Sequence, residues 1–592
     1  MKIFCNPLNM EYKYQFIEKQ GDRGISVSRE AADPSLVVFH GTYYLFPSMT
    51  AGFLTSEDLV TWKFHKFNQD MPIYDYAPDV RVMGDYLYFS ASKRSENCPF
   101  YRTKDPIHGT FEVIEGSFPF WDPNLFQDDD GRIYFYWGCS NVTPIYGVEL
   151  NAEDLKPLSE PIIMFGERTH EIGYERNGED HVPPKTPEQI EAAVMAMIKR
   201  MPNVTEDNKQ MLYKVMGNDP YIEGAWMTKY NGMYYLQYAI PGTACNVYAD
   251  GVYVSKNPLG PFTLAKNNPY SYKPGGFITG AGHGSTMEDN GGRLWHTSTM
   301  RISINHNFER RLGLWMAGFD EDGELYCDQR YGDWPISMLK KPWEKPEWML
   351  LSYGKDALVS SGVGAKNATD ENILTWWKAA SQEPDEWIQI DLGKTYDVRG
   401  IQINFADDNL EVPLPEGVVL QGETQMKRYI DERMHVTRWV LEGSLDGINY
   451  FIIEDKSKVK TDLSHDFIVR EEGIPIRYIK LIVKELPFGQ AACVSGLRVF
   501  GKTEGELPKA VEGIKVEKLS DLDVNVSWDK SDAVGYNILW GFSPNKLYHS
   551  YMVYDKTEQK IGALIKGEPL YMRVDSFNEV GITEGNIFQV ID

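Results

Sequence analysis

The chain has 592 residues, which is too long for a single hydrophobic core and predicts three or four domains. Its net charge of −25 argues against nucleic acid or an anionic membrane surface as a partner, because binding of phosphate groups requires clustered Lys and Arg. The sequence contains no apolar run of about 18 residues, so no membrane insertion is expected.

The cysteines and the N-terminus bear on the compartment. The six cysteines are scattered without metal-ligand spacing and are expected to be reduced packing residues. The N-terminus lacks the apolar core of a signal peptide, which predicts a cytoplasmic location for the chain as it stands. A chain from which a signal had been removed would look the same, so a periplasmic or secreted location stays open.

One pattern recurs five times before residue 301. A polar lead residue opens a short apolar segment, a turn follows, and an aromatic-rich segment returns, as in a hairpin. The lead residues are Asp33, Asp79, Asp122, Glu223 and His283. Repeated β-units that cannot bury their own faces stack on their neighbours, and radial stacking gives a propeller. The sequence therefore predicts an all-β protein in which residues 1–340 form a five-bladed β-propeller, with the lead residues around its axis.

The longest interval between lead residues contains a helical signal. Thr186 precedes Pro187, and Gln189 completes a capping box before apolar residues at helical spacing. We therefore expect a helical insertion over residues 184–217, packed on the rim, beside the active site or against another subunit.

Two further β-rich units follow. Residues 350–502 contain alternating strands between turns, interrupted by a polar, Pro-containing stretch near 406–434 that predicts a long loop. Residues 508–592 contain Trp528 on an early strand and Tyr571 near a strand corner, which is typical of a small sandwich. We predict two β-sandwich domains after the propeller. The polar connection between them predicts few contacts between the last domain and the propeller.

The lead carboxylates favour cleavage of a glycosidic bond. In that reaction one carboxyl donates a proton to the leaving oxygen, and another activates water. A third carboxylate nearby favours the protonated form of the acid. Glu223 has apolar neighbours, whereas Asp33 and Asp122 each precede a proline that holds the backbone extended. Gathering several buried carboxylates is costly unless they have a function.

The first 335 residues or so resemble glycoside hydrolase family 43. The resemblance rests on Asp33 in Ala-Asp-Pro, Asp122 in Trp-Asp-Pro and Glu223 in Glu-Gly-Ala-Trp. It implies a five-bladed propeller that acts on arabinose, xylose and related sugars with inversion. It also implies that Asp33 is the general base, that Asp122 orients and tunes the site, and that Glu223 is the general acid.

The same resemblance implies secondary site residues. Asp79 in Ala-Pro-Asp matches a family motif, and Arg301 is aligned with an active-site arginine. Trp121 and Trp226 are candidate substrate-binding residues, because aromatic faces suit sugar rings. His283 in Gly-His-Gly matches a histidine that in many members contacts calcium through water. Calcium prefers oxygen ligands, so the expectation is no cofactor for the chemistry and a structural Ca²⁺ near His283, reached through water.

The later units resemble known accessory domains. Residues 350–502 resemble the discoidin family, the C-terminal domain type of coagulation factors 5 and 8, through WIQIDLG at 387–393 and RYIKL at 477–481. Residues 508–592 resemble fibronectin type III through their Tyr-x-x-Arg-Val ending.

The leading hypothesis is an inverting, exo-acting glycoside hydrolase that releases a terminal pentose, as an α-L-arabinofuranosidase or a β-D-xylosidase. The expected partner is a neutral, plant-type oligo- or polysaccharide. One alternative is a galactofuranosidase of the same fold. Another is a catalytically inactive carbohydrate-binding or adhesion protein, which the accessory domains favour and the three carboxylates disfavour. A retaining, fructan-type hydrolase would need a nucleophile motif that residues 32–35 do not supply. Neither the sugar nor the oligomeric state follows from the sequence.

Overall fold

The computed structural model describes residues 2–19, 24–73, 77–92, 96–177, 184–199, 201, 204–422 and 427–591. Strands dominate these ranges, and the all-β class is confirmed. Among the described residues, no helix has the length and apolar character needed to cross a membrane.

The N-terminal segment ties the first unit together. Strand β1 (Ile3–Phe4) pairs with β25 (Ile336–Ser337), so the two ends of the unit meet. Strands β2 (Lys13–Glu18) and β3 (Ile25–Glu30) form a hairpin immediately before Asp33.

Five antiparallel sheets lie between these ends, and in each the strands follow chain order. We number them 1 to 5. Sheet 1 contains β4 (Ala32–Phe39), β5 (Thr42–Ser48), β6 (Gly52–Ser56) and β7 (Lys63–Lys66). Sheet 2 contains β8 (Asp79–Met83), β9 (Tyr86–Ser90), β10 (Phe100–Thr103) and β11 (Glu112–Ile114). Sheet 3 contains β12 (Asn124–Gln127), β13 (Ile133–Trp137), β14 (Ile145–Leu150) and β15 (Ile162–Phe165).

The last two sheets follow the helical insertion. Sheet 4 contains β16 (Glu223–Tyr230), β17 (Met233–Ile240), β18 (Ala249–Ser255) and β19 (Thr263–Leu264), with β20 (Ser271–Tyr272) beside β18. Sheet 5 contains β21 (Thr279–Glu288), β22 (Leu294–Arg301), β23 (Arg310–Phe319) and β24 (Leu325–Cys327).

The first strands of the five sheets contact one another in cyclic order. Strand β4 contacts β8, β8 contacts β12, β12 contacts β16, β16 contacts β21, and β21 contacts β4. This cyclic order is the one that a five-bladed propeller requires. Every lead residue lies on or directly before one of these first strands.

The insertion is helical, as predicted. Helix α1 (Pro187–Ile198) begins with the expected capping box, in which the Thr186 hydroxyl accepts from the Gln189 N–H and the Gln189 side chain accepts from the Thr186 N–H. A second helix, α2 (Glu206–Met216), packs against it. Residues 200, 202 and 203 of the predicted insertion lie outside the described residues.

The second unit has its own apolar core, in which Trp377 and Trp439 are buried. Its strands are β26 (Met349–Leu350), β27 (Asp356–Val359), β28 (Trp377–Lys378), β29 (Glu386–Phe405), β30 (Arg428–Ile430), β31 (Arg438–Ser444), β32 (Tyr450–Asp455), β33 (His465–Glu485) and β34 (Cys493–Lys502). Strand β30 leaves this unit and pairs with β2 of the first unit. Residues 423–426 of the predicted loop lie outside the described residues.

The third unit consists of two facing groups of strands. One group contains β35 (Lys515–Lys518), β36 (Val524–Ser527) and β39 (Glu558–Ile561). The other contains β37 (Gly535–Gly541), β38 (His549–Tyr554), β40 (Leu570–Phe577), β41 (Ile582–Thr583) and β42 (Phe588–Val590). Trp528 is buried in this unit.

The prediction that the third unit makes few contacts with the first is wrong. One apolar cluster continues across both units, and Tyr272 packs edge-on against Trp540 at a ring separation of 5.8 Å. The Gly173 N–H donates to the Leu564 carbonyl at 2.7 Å. A short polar connection does not prevent docking when the two units carry matching apolar faces, and here those faces bury each other.

Candidate active site

Four lead residues occupy special backbone positions. Asp33 is the second residue of β4, Asp122 precedes β12 by two residues, and His283 lies within β21. Their φ angles are +47°, +51° and +52°, which non-glycine residues rarely adopt. Glu223 opens β16 and is followed by Gly224 with φ +63°. Such strained positions persist where the surroundings fix them, and they cluster at functional sites.

His283 lies between two of the carboxylates. Its Nδ1 atom is 3.5 Å from Oδ1 of Asp33 and 3.6 Å from Oδ2 of Asp122. The backbone N–H groups of His283 and Gly284 donate to the Asp250 carboxylate at 2.7 and 3.1 Å. Asp250 therefore fixes the strand segment that presents the imidazole.

Glu223 is held from both sides. The Tyr248 hydroxyl donates to Oε1 at 2.6 Å, and the Cys139 thiol donates to Oε2 at 3.2 Å. The potential ligand atoms of Asp122, Cys139 and Glu223 lie within 4.8 Å of one another. Asp122 therefore lies close to Glu223, and the imidazole of His283 lies close to both Asp122 and Asp33.

Asp33 is the most firmly hydrogen-bonded carboxylate. The Ser48 hydroxyl donates to Oδ2 at 2.7 Å, and the Arg310 guanidinium donates to Oδ1 at 3.2 Å. The backbone N–H of Asp33 donates to the Thr299 hydroxyl at 2.8 Å. Arg310 also donates twice to Glu30, at 2.7 and 3.0 Å. These contacts fix the orientation of the Asp33 carboxylate.

Burial and mutual charge shift the proton affinities of this site. Burial raises the pKa of Asp122 to about 7; the neighbouring His283 opposes the rise, and Glu223 and Asp33 add to it. Burial by itself lowers the pKa of His283, but Asp33, Asp122 and Glu223 raise it overall above its usual value. Burial, reinforced by Asp122 and Glu223, raises the pKa of Cys139 well above its usual value, so its thiol stays protonated and can donate.

Asp79 and Trp226 are placed differently from the central group. The Asp79 carboxylate accepts from the Asn124 side chain at 2.9 Å and from the Leu125 N–H at 2.7 Å, which links sheet 2 to sheet 3. Trp226 is only 4% exposed and donates to the Thr286 carbonyl. Asp122, a predicted catalytic residue, is buried to the same extent, so the substrate-binding role of Asp79 and Trp226 stays a prediction.

Trp121 and Arg301 are the remaining predicted substrate-binding residues. Trp121 is half-buried beside Asp122, and its carbonyl accepts from the Gly138 N–H at 2.8 Å. Arg301 is the last residue of β22, and the guanidinium that binds Asp33 belongs to Arg310 instead. The substrate-binding role of both residues stays a prediction.

Sequence reasoning missed the residues that hold the catalytic carboxylates, Ser48, Cys139, Tyr248 and Arg310, and it missed Asp250, which holds the backbone of His283. For Ser48 and Cys139, the repeats contain a signal by which they could have been found. Ser48, Ser92 and Cys139 all stand at or just after the end of the second, aromatic-rich strand of a repeat. Ser92 accepts from the Asp122 N–H at 3.0 Å, much as Ser48 binds Asp33. Cys139 is therefore part of the site and not only a packing residue.

The metal prediction concerns His283 and calcium. The group of three close ligand atoms found among the described residues includes a thiol, and calcium prefers oxygen. The carboxylates of Asp33 and Asp122 already have partners. His283 lies beside both of them, and Arg310 and Ser48 donate to Asp33. A calcium ion held through water near His283 stays a prediction.

Two carboxyls with different partners, separated by a third carboxyl and an imidazole, are the equipment of a glycoside hydrolase. A model of the glycosyl hydrolases family 43 matches residues 26–181 and 183–325, and the chain belongs to this family. A model described as a NedA-like, galactose-binding domain matches residues 367–481, which confirms a discoidin-like second unit. The resemblance of the third unit to fibronectin type III stays a prediction.

Curated relatives are similar over parts of the chain. A beta-xylosidase of Xylanibacter ruminicola is 31% identical over 169 residues, 28% of this chain and 43% of that relative. Xylosidase/arabinosidase 43A of Humicola insolens is 26% identical over 354 residues, 50% of this chain and 96% of the relative. A beta-D-galactofuranosidase of Aspergillus niger is 23% identical over 298 residues, 44% and 71% respectively. The chain thus spans less than half the length of the first of these relatives.

Proposed function

We propose that the five sheets close into a five-bladed β-propeller, followed by two β-sandwiches, and that the protein is an inverting, exo-acting glycoside hydrolase. The product would be a terminal pentose, L-arabinofuranose or D-xylose. The observation that carries this proposal is the convergence of Asp33, Asp122 and Glu223 around His283.

In this mechanism Asp33 is the general base. Arg310 and Ser48 hold one oxygen each, so the carboxylate has a fixed orientation. It takes a proton from a water molecule as the oxygen of that water attacks the anomeric carbon. Arg310 also donates to Glu30, and this second contact keeps the guanidinium in position during the reaction.

Glu223 is the general acid. It gives its proton to the glycosidic oxygen as the bond to the leaving group breaks. Tyr248 and Cys139 fix the rotamer of Glu223 through one hydrogen bond to each carboxyl oxygen.

Inversion requires space for water between base and sugar, with carboxyls roughly 6.5–9.5 Å apart. Asp33 and Glu223 share no hydrogen bond or common donor among the described residues, and each has its own set of partners, which is compatible with a water molecule between them. Exo action is proposed because five blades that close on a narrow axis, with the α1–α2 insertion at the rim, would form a blind pocket that accepts one terminal sugar.

A galactofuranosidase is the second candidate, and the Aspergillus niger relative favours it. Both candidates would use the same three carboxylates, so they differ only in the sugar that the pocket accepts. The inactive, carbohydrate-binding alternative predicts no turnover of any substrate.

Nitrophenyl glycosides decide between these candidates. We expect turnover of α-L-arabinofuranoside or β-D-xyloside by the full chain, and no turnover by the Asp33→Asn variant. A panel that also contains arabinopyranoside and β-D-galactofuranoside measures the preference. Turnover of the galactofuranoside alone would favour the second candidate, and no turnover of any substrate would support the inactive alternative. Added EDTA should not abolish activity, because no step needs a metal.

A further inference from the structure

A groove of about 270 Å³ opens where all three units meet. The first unit contributes Thr279 and Arg301, the second contributes Asp370, and the third contributes Tyr551 and Lys556. None of these residues takes part in the mechanism above.

Arg301 is an uncompensated cation in the wall of this groove. Its side chain is 9% exposed, and its Nε and Nη1 atoms have no hydrogen-bond partner among the described residues. Burial lowers the pKa of Arg301, and no carboxylate opposes that effect. A buried charge without a partner is costly, and an anionic ligand within reach of the guanidinium would offset that cost.

The acidic residues of the groove are already engaged elsewhere. Asp370 accepts from the Thr375 hydroxyl at 2.5 Å and from the Asn372 N–H at 3.0 Å. Glu371 accepts two hydrogen bonds from Arg498, at 2.7 and 2.9 Å. Lys556 lies exposed at the rim, without an ion pair among the described residues. Because the donors to Asp370 are neutral, Asp370 keeps its own charge, and the two cations of the groove, Arg301 and Lys556, outnumber this one carboxylate.

The groove adjoins the candidate active site. Arg301 pairs with Thr279 at the start of β21, the strand that carries His283. Thr299, two residues before Arg301, contacts the backbone of Asp33. Cys245, the titratable group that most affects Arg301, belongs to the turn that leads to Tyr248.

We propose that this groove binds the carboxylate of a uronic acid, carried by the part of the glycan beyond the sugar that is cleaved off. The placement beyond the cleaved sugar rests on the proposed function. A guanidinium matches the geometry of a carboxylate and binds it with charge-assisted hydrogen bonds. The second and third units then take part in substrate selection. This differs from the expectation of a purely neutral glycan, because the charge of the whole chain does not set the charge of one groove.

Direct binding tests the groove independently of turnover. D-glucuronate and D-glucose, which differ by one carboxylate, are titrated into the full-length protein and followed by ligand-observed NMR. We expect glucuronate to bind at least tenfold more tightly than glucose, and Arg301→Met to remove that difference while Arg301→Lys keeps part of it. Equal binding of the two sugars by the wild type, or unchanged glucuronate binding by a folded Arg301→Met, overturns the proposal.

Lys556→Ala covers the case in which Arg301→Met does not fold, since Lys556 is exposed at the rim. We expect at least a threefold loss of glucuronate binding, and no loss contradicts the proposal.

Rates on xylo-oligosaccharides with and without a glucuronic acid branch then test whether the bound uronate lies beyond the sugar that is cleaved off. Glucuronate binding without pentose release would refute the proposed function and leave the groove assignment standing. Pentose release at equal rates from acidic and neutral chains would refute the placement of the uronate.

Discussion

The Nδ1 atom of His283 lies 3.5 Å from Asp33 and 3.6 Å from Asp122, so one imidazole is shared by two carboxylates. Asp33 also binds Arg310 and Ser48, whereas Asp122 is buried with a raised pKa of about 7. Asp33 and Asp122 thus differ in their partners, and burial beside other carboxyls gives Asp122 the raised pKa that a tuning carboxylate needs.

Substrates with different leaving groups distinguish the role of the base from that of the acid. Asp33→Asn should lower kcat at least about a thousandfold on every substrate, because no group then activates water. Glu223→Gln should lower it equally on a natural oligosaccharide but much less on a dinitrophenyl glycoside, whose leaving group needs no proton. Steady-state kinetics measure both variants, and circular dichroism checks their folding. Near-wild-type turnover of an oligosaccharide by Glu223→Gln would refute the assignment.

Asp122 should make stability depend on pH. Its folded pKa of about 7 exceeds the value of 3.8 that is usual for an aspartate in an unfolded chain, so its protonation favours the folded state. That contribution is complete below about pH 4 and is lost as pH rises through about 7. Asp122→Asn does not titrate, so its Tm relative to wild type should increase from pH 5 to pH 8.

Asp85→Asn is the control, because its side chain is 84% exposed and its Tm difference should stay flat. Thermal unfolding at both pH values measures the effect. The same Tm difference for Asp122→Asn at pH 5 and pH 8 would show that burial does not raise the proton affinity of Asp122.

At the scale of elements, irregular strand pairing presents the site. Register shifts interrupt the first strand between Ala32 and Ser35 in sheet 1, between Glu223 and Trp226 in sheet 4, and twice in sheet 5. Bulges of this kind turn a side chain out of the sheet. They explain why the catalytic side chains point to the common centre while the rest of each strand stays paired.

Gly224 offers a sharp test of this backbone. Its φ is +63°, and a Cβ there would lie 2.8 Å from the His283 ring. We expect Gly224→Ala to lower kcat/KM at least about a hundredfold, because displacement of reacting groups by about 1 Å has that effect. Gly232→Ala is a matched control, with φ +75° and no atom within 4 Å of the new Cβ. It should cost about 1–2 kcal/mol of stability and leave kcat/KM unchanged. Equal activity losses would refute the role of the contact.

Some of this organisation could be predicted from the sequence. The hairpin repeats predicted the first strand of each sheet. The start of α1 was predicted by the capping residues Thr186, Pro187 and Gln189, because both signals are local in the sequence. Arg310 and Tyr248 could not be found in this way, since they reach the carboxylates from strands and turns distant in sequence. The lead position of Asp79 matched the repeat, but its carboxylate serves the contact between sheets 2 and 3.

At the scale of the whole molecule, the three units are joined by buried contacts. Lys273 and Asp333 of the first unit pair at 2.7 Å, and Arg498 of the second donates to the Asp333 carbonyl at 2.6 Å. Arg176 of the first unit forms a two-point ion pair with Asp523 of the third. The later units are therefore packed against the first unit as one body.

Removal of the third unit tests whether its contacts stabilise the rest of the chain. A chain that ends at residue 505 would expose the apolar face around Ile172 and Tyr272. We expect the full chain to unfold in one calorimetric transition, and the shortened chain to unfold at least about 10 °C lower or to aggregate. A separate transition for the third unit, with an unchanged Tm for the shortened chain, would show that the contacts contribute little.

Proton NMR of the first minutes of reaction, with a pentose oligosaccharide as substrate, tests the central claim most directly. The account predicts that the only early product is a single pentose, and that its anomeric signal is that of the inverted configuration before mutarotation. A retained anomer would contradict the single displacement by water that Asp33 activates. Early di- or trisaccharides would contradict the closed pocket.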